Sequence, residues 1–419
     1  MTLHRNKPAP APSRQDGVFY GLIVVAAAHV VLLVSFGVLY SYGAFFESLQ
    51  KEFHIDRGAT SLIFSVASFG YFGLGVFAGT MADRFGPRLT VAAGMACMGA
   101  GLLVSSYATT LPVMAASYIV AMAVGVGFTY VPSVAAVQPW FVRRRGMASG
   151  LTVSGIGVGT LLLPMIAGWL IVAGGWRDAF RVFALCALVV GVGAALFLDN
   201  SPARRGLFPD NDPAGAAALG ASQAGPGMTL GEAMRTRAFW LFAVALGLNT
   251  AGMSVPLVHL APYARDQGLS EATGVMLIGL VGVGSLVGRF ALAGIGDKLN
   301  RRNALAALLA GMALVEFVWL FSSGKVMLSV FALAFGVIYG SIIALNPTIA
   351  MELFGGRSLA GIIGAIYMVN ALGVLLGPSL AGYAFDASGS YGVPILASAL
   401  LQVVAMACAL SLRKAPAHG

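Results

Sequence analysis

Gly79-Thr-Met-Ala-Asp83-Arg84-Phe-Gly86-Pro-Arg88 returns later in the chain as Gly294-Ile-Gly-Asp297-Lys298-Leu-Asn-Arg301-Arg302. Each stretch closes an apolar run with a glycine, places an Asp and then a basic cluster, and opens the next apolar run. A second pair follows in the same order: Pro164-Met-Ile-Ala167-Gly168-Trp169 and Pro378-Ser-Leu-Ala381-Gly382-Tyr383. Two matches in one order mean that the second half of the chain repeats the first.

Counting outward from these anchors gives the architecture. A bilayer span needs about 20 predominantly apolar residues. Twelve such runs are expected, at 18–44, 60–82, 89–108, 111–139, 147–174, 179–199, 238–263, 273–296, 303–323, 326–350, 358–384 and 391–412. Of the 419 residues 58% are hydrophobic and 10% charged, against roughly 25% charged in a soluble domain, so the solvent is the lipid bilayer. The expected fold class is an all-α membrane protein, its twelve transmembrane helices forming two pseudo-symmetric six-helix bundles. The bundles are residues 1–199 and 238–419. Residues 200–237 form a polar linker with Pro, Asp and an Ala/Gly/Ser-rich stretch. Within it Thr229-Leu-Gly-Glu232 has the spacing of a capping box opening a short surface helix. A six-helix duplication is a recurrent plan among secondary transporters.

The net charge of +9 does not point to nucleic acid, because the bases sit in short clusters between apolar runs. Eighteen of the 25 Lys and Arg fall on the side of the two termini, six on the other side, and Arg289 inside a span. Positive loops mark the cytoplasmic side, so both termini are expected there. Cys97, Cys186 and Cys408 lie within apolar runs, and three is an odd number, so neither a disulfide framework nor a metal site is expected. No cleavable signal peptide is expected either, since the polar N-terminus leads into a full-length span. No Gly-Lys-Ser/Thr phosphate loop is present. The chain therefore reads as neither an enzyme nor an ATP-driven pump, with no cofactor, and with an ion gradient or exchange as its energy source.

Small-residue pairs four apart recur at Gly75/Gly79, Gly155/Gly159, Gly284/Gly288 and Gly373/Gly377, in spans two, five, eight and eleven. Such pairs let helices approach closely, and their equivalence under the repeat suggests that they line the seam between the halves.

The Gly79–Arg88 element, with Asp83, Arg84, Gly86 and Arg88, resembles the loop signature of the major facilitator superfamily. With twelve spans and a mid-chain linker, the resemblance covers essentially the whole chain. It implies a cytoplasmic gate to which Asp297 of the repeat also belongs. Asp16-Gly17-Val18-Phe19-Tyr20-Gly21 is similar to the opening motif of monocarboxylate transporters, although Gly21 stands where that family usually has an aromatic. Trp140-Phe141-Val-Arg143-Arg144-Arg145-Gly-Met-Ala148-Ser-Gly150-Leu-Thr-Val-Ser-Gly155 resembles the same family's second motif. Together they imply proton-linked transport of a small monocarboxylate such as lactate or pyruvate, by a chain working as a monomer in a bacterial inner (plasma) membrane.

Arg289 is the most informative residue. A charge within a span is costly and marks a functional site, and a guanidinium takes a carboxylate through two parallel hydrogen bonds. It lies eight residues before Asp297, about 12 Å from the cytoplasmic helix end. The family's corresponding Arg is the substrate's carboxylate partner and commonly has an Asp four residues earlier, where this chain has Ser285. The span-one lysine of animal members is also missing from 35–42. Proton coupling therefore has to use another group, and His259, between Pro256 and Pro262 near the outer mouth, and His29, midway along span one, are the candidates. A break of the helix at the two prolines would expose His259 to a cavity. Tyr130, Asn249, Tyr339, Asn370 and Tyr391 complete the expected lining, Tyr130 and Tyr339 occupying equivalent spans four and ten. Glu316 reads as a bland residue near the outer surface; an ion pair with Arg289 is the structural alternative. A dicarboxylate exchanger of the oxalate–formate type, a broad-specificity drug exporter and a nontransporting sensor are the rival readings.

Overall fold

The structure is a computed structural model that describes residues 18–142, 144–212, 227–295, 300–355 and 358–412. Among these every long element is a helix: Tyr20–Tyr40 continuing as Tyr42–Phe53, Arg57–Phe85, Pro87–Tyr107, Leu111–Val137, Arg145–Cys186, Arg237–Asp266, Glu271–Ile295, Arg301–Trp319, Gly324–Phe354, Leu359–Ser388 and Gly392–Leu410. Eleven helical stretches are long and apolar enough to cross a bilayer. The longest runs over 50 residues and contains one non-helical residue, Gly175, at φ +83°. A left-handed conformation at glycine is almost free of steric cost, and here it turns the chain between spans five and six without a loop. Divided at Gly175, the stretches make twelve spans.

The helix ends follow from local chemistry. The Asp56 carboxylate accepts from Ala59 N at 2.7 Å and opens span two. Gly86, at φ +84°, ends span two and lets Pro87 start span three. The capping box before span seven is present: Thr229 N donates to Glu232 Oε2 at 2.7 Å and Glu232 N to Thr229 Oγ1 at 3.3 Å, opening the helix Leu230–Met234. Large apolar side chains face outward, among them Val172 at 79% and Val326 at 77% exposure, as a lipid-facing surface requires.

The small-residue pairs do not line the seam between the halves, which corrects the expectation. A Cβ on Gly155 would fall 2.2 Å from His29 O, and one on Gly159 2.2 Å from Leu33 O, so this pair packs span five on span one. Gly373 and Gly377 meet Gly247 O and Ala251 O at 2.3 and 2.1 Å and pack span eleven on span seven, the equivalent pair. Gly284 and Gly288 meet Leu333 O and Val337 O in span ten at 2.3 and 2.0 Å, while Gly75 meets Val131 at 3.8 Å and Gly127 O at 4.0 Å, and Gly79 meets Val131 at 3.7 Å. Carbonyls facing glycines hold helices together inside each half. Between the halves, span eight lies on span five, with Gly282 against Leu161 N and Gly168 against Val275. Span eleven lies on span two, with Gly382 against Arg57 O and Phe72 against Tyr367, ring centroids 5.6 Å apart.

Candidate functional site

Arg289 lies deep in span eight with 8% exposure. Its Nε donates to Ser285 Oγ one turn earlier at 3.3 Å, and Nη1 reaches Val153 O of span five, in the other half, at 3.5 Å. Nη2 has no hydrogen-bond partner. No described Asp or Glu pairs with it. Ser285 is the reason, because the shorter neutral side chain occupies the position from which an Asp would neutralise the guanidinium.

Tyrosine hydroxyls surround this cation. Tyr339 of span ten donates to Tyr40 of span one at 3.0 Å, a bond between the halves. Tyr40, Tyr339 and Tyr367 all lie within electrostatic reach of Arg289. Phe36 sits among them, its ring 5.8 Å from Tyr130 and 6.0 Å from Tyr40 and Tyr71. One cation ringed by hydroxyl groups can bind one carboxylate and hydrogen-bond a hydroxyl or keto group beside it.

Of the expected lining, Tyr130 and Tyr339 gather here. Asn370 in span eleven is buried with its Oδ1 unpartnered. Tyr40, Tyr71 and Tyr367 were missed by sequence reasoning; each is one aromatic among many until five spans converge. Asn249 belongs elsewhere: its side-chain amide contacts Met253 Sδ at 3.4 Å, and its backbone carbonyl accepts from Gln402 at 3.3 Å. Gln402 also donates to Glu316 Oε1 at 3.1 Å. Glu316 is therefore neither near water nor paired with Arg289. It is fully buried between spans nine and twelve, which corrects both readings of it.

Tyr391 and His259 lie together beside Arg57, at the start of span two. The helix carrying His259 runs unbroken from Arg237 to Asp266 through both prolines, and His259 has no exposed surface, so the expected opening there does not occur. Its Nδ1 lies 3.0 Å from Tyr391 Oη and its Nε2 2.9 Å from Pro378 O and 3.1 Å from Ser61 Oγ. His29 of span one is half-buried against span five, Nδ1 2.8 Å from Leu151 O.

At the junction of spans two and three Asp83 and Arg84 are exposed, and Arg88 Nε donates to Leu198 O at 3.4 Å. Asp16, Gly17, Arg143 and Asp297 lie outside the described residues, as does the Arg145 side chain; Arg144 and Gly150 are exposed. What is described of the two family motifs forms one aromatic cluster. Phe19 packs on Trp140 and Phe141 at 5.8 and 5.7 Å, and Arg205 lies over the Tyr20 ring at 3.5 Å. A Cβ on Gly21 would fall 2.4 Å from Phe19 Cε1; the Phe19 ring covers the glycine that departs from the family pattern.

The Major Facilitator Superfamily model matches residues 28–378. Monocarboxylate transporter 13 of Bos taurus is 30% identical over 379 residues, covering 89% of this chain and 84% of that protein. The chain belongs to the major facilitator superfamily and, within it, to the monocarboxylate transporter family. Monocarboxylate transporter 11 of Homo sapiens is similar at 29% identity, with 94% and 83% covered. Among solved structures, a D-xylose-proton symporter superposes with a TM-score of 0.71 at 16% identity, covering 94% of this chain and 98% of that one. A peptide transporter superposes at 0.72 and 14% identity, covering 96% and 97%; these two show the shared fold. This family member is an integral multi-pass membrane transporter and not an enzyme.

Proposed function

We propose that this transporter carries a small monocarboxylate, of the lactate or pyruvate kind, together with a proton, and that Arg289 holds the carboxylate. The observation that carries the reading is the guanidinium's free Nη2: a buried cation with no carboxylate among the described residues to pair it is complete only when an anion arrives. Pairing neutralises both charges and removes the electrostatic obstacle to enclosing the site. Tyr40, Tyr339, Tyr130 and Tyr367 would orient the rest of the acid, with Asn370 at the edge. Residues 1–199 and 238–419 would move as two bodies joined by 200–237, the Asp83–Arg88 loop and Asp297 closing the cytoplasmic side. The charge asymmetry supports cytoplasmic termini, in a plasma membrane, the inner one in a bacterium, with one chain as the working unit.

Of the two histidines, His259 bonds groups of both halves through Ser61 and Tyr391, which supports assigning the proton to it rather than to His29. The test is uptake into proteoliposomes of labelled lactate, pyruvate, acetate and oxalate, with and without an imposed pH gradient. Monocarboxylate uptake driven by an inward proton gradient is expected. Oxalate–formate exchange indifferent to the gradient would sink the reading.

A further inference from the structure

We propose that Arg57 and Asp266 form the outer gate of the transport path, and that His259, acting through Tyr391, releases it when a proton arrives from outside. The second part rests on reading His259 as the proton site.

Arg57 opens span two in the first half and Asp266 closes span seven in the second. Their side chains form a bidentate pair, Nη1 to Oδ2 at 2.6 Å and Nη2 to Oδ1 at 2.5 Å. Asp386 at the outer end of span eleven accepts from the backbone N–H of Arg57 at 3.1 Å and of Gly58 at 2.6 Å. Arg265 reaches Glu47 of span one at 2.9 Å. All of these bonds join one half to the other at the same membrane face, so the outer mouth cannot open while they stand. Beside them is a cavity of about 280 Å³ lined by Arg57, Asp266, Glu47 and Phe46. Phe46 also packs edge-on against His259, ring centroids 5.6 Å apart, so the histidine lies one ring away from this vestibule.

Hydrogen-bond direction couples the histidine to the gate. Pro378 O can only accept, so Nε2 carries a hydrogen, and in the neutral ring Nδ1 must then accept. Tyr391 therefore donates to Nδ1 while its oxygen accepts from Arg57 Nη1 at 2.9 Å. A proton added at Nδ1 turns that nitrogen into a donor. Tyr391 must then rotate its O–H away, and a second cation stands one hydroxyl from Arg57. The charged groups that face this pair are Arg57, Asp266 and Arg265, Asp386, and Glu47. Asp266 is taken by Arg57, Asp386 by two backbone amides and Glu47 by Arg265 and Lys51. Glu271 also lines the cavity, but none of these carboxylates bonds His259, so the new charge acts against Arg57 and loosens the pair. Protons outside would thus open the outer face, the order that symport needs.

Spin-label distance measurement on the full chain in lipid tests this. Labels go on Thr109→Cys, exposed in the loop before span four, and Lys325→Cys, exposed in the first turn of span ten, with Cys97, Cys186 and Cys408 replaced by Ala. At pH 8 the short distance should dominate, and at pH 5.5 a longer component should grow in. Asp266→Asn should show the longer component at both pH values; His259→Gln should stay short at both. Arg57→Lys, which keeps charge but loses the fork, should fall between and serves if Asp266→Asn does not fold. A His259→Gln protein with the wild-type pH response, or gate variants with the wild-type distances, overturns the proposal. No substrate enters the measurement, so it stands or falls separately from the carboxylate assignment at Arg289.

Discussion

The middle of span eight and the start of span two each hold an arginine, and the two are treated in opposite ways. Arg57 has a carboxylate on both forks, a tyrosine hydroxyl, and the Phe385 ring 4.0 Å from its guanidinium carbon. Arg289 has a serine, a distant carbonyl and one free nitrogen. A charge paired within the protein holds the structure together; a charge left unpaired at depth is held for a ligand. Both arginines also join the halves, but Arg57 does so through a partner that belongs to the chain, and Arg289 would do so chiefly through one that comes and goes.

The same substitution should therefore separate them. Arg289→Gln is expected to reduce carboxylate uptake more than about 100-fold, since removing one partner of a buried charge pair costs about 3–5 kcal/mol. Its melting temperature in detergent should hold or rise, because a cation with no internal counter-charge has been removed. Normal uptake by the variant would end the comparison. Arg57→Gln should do the reverse to stability. It strands Asp266, so the melting temperature should fall, and Asp266→Asn added to it should recover much of the loss; a double variant less stable than Arg57→Gln would show that the pair is not what holds the outer end.

Ser285→Asp would turn the central arginine into something closer to the outer one. The introduced carboxylate competes with substrate when ionised and withdraws when protonated. KM should therefore rise several-fold at pH 8, where a carboxylate beside the guanidinium is ionised, read from initial uptake rates. An unchanged KM would mean that position 285 does not govern the charge of Arg289. The smallest effect belongs to Glu316→Gln. The carboxyl touches Gln402 and lies apart from the tyrosine ring, so the near-isosteric amide should leave uptake within about two-fold, a surface-like change in energy terms. A large loss of uptake would place spans nine and twelve in the transport path.

Local order decided some things and long-range packing others. Apolar run length, repeated charged loops and the capping box at Thr229 are properties of contiguous residues, so spans, repeat and family could be read without coordinates. Arg289 could be read as well, because a charge within twenty apolar residues is conspicuous wherever the helix packs. The companions of Arg289 could not. Tyr40, Tyr71, Tyr130, Tyr339 and Tyr367 come from five spans, and helical spacing alone does not say which face of each span turns inward. For the same reason the glycine pairs were assigned to the seam between the halves, when the carbonyls that fill them belong to neighbours inside each half. The prolines around His259 looked like a break because the amide that Pro removes costs a helix dearly in isolation; packing on spans eleven and two keeps it whole. What the sequence determined by itself is the number of spans, their duplication and the single buried cation, since each is a statement about hydrophobicity and charge along one dimension. Only the tertiary structure decided which charges find partners, because pairing depends on distances of about 3 Å between residues hundreds of positions apart.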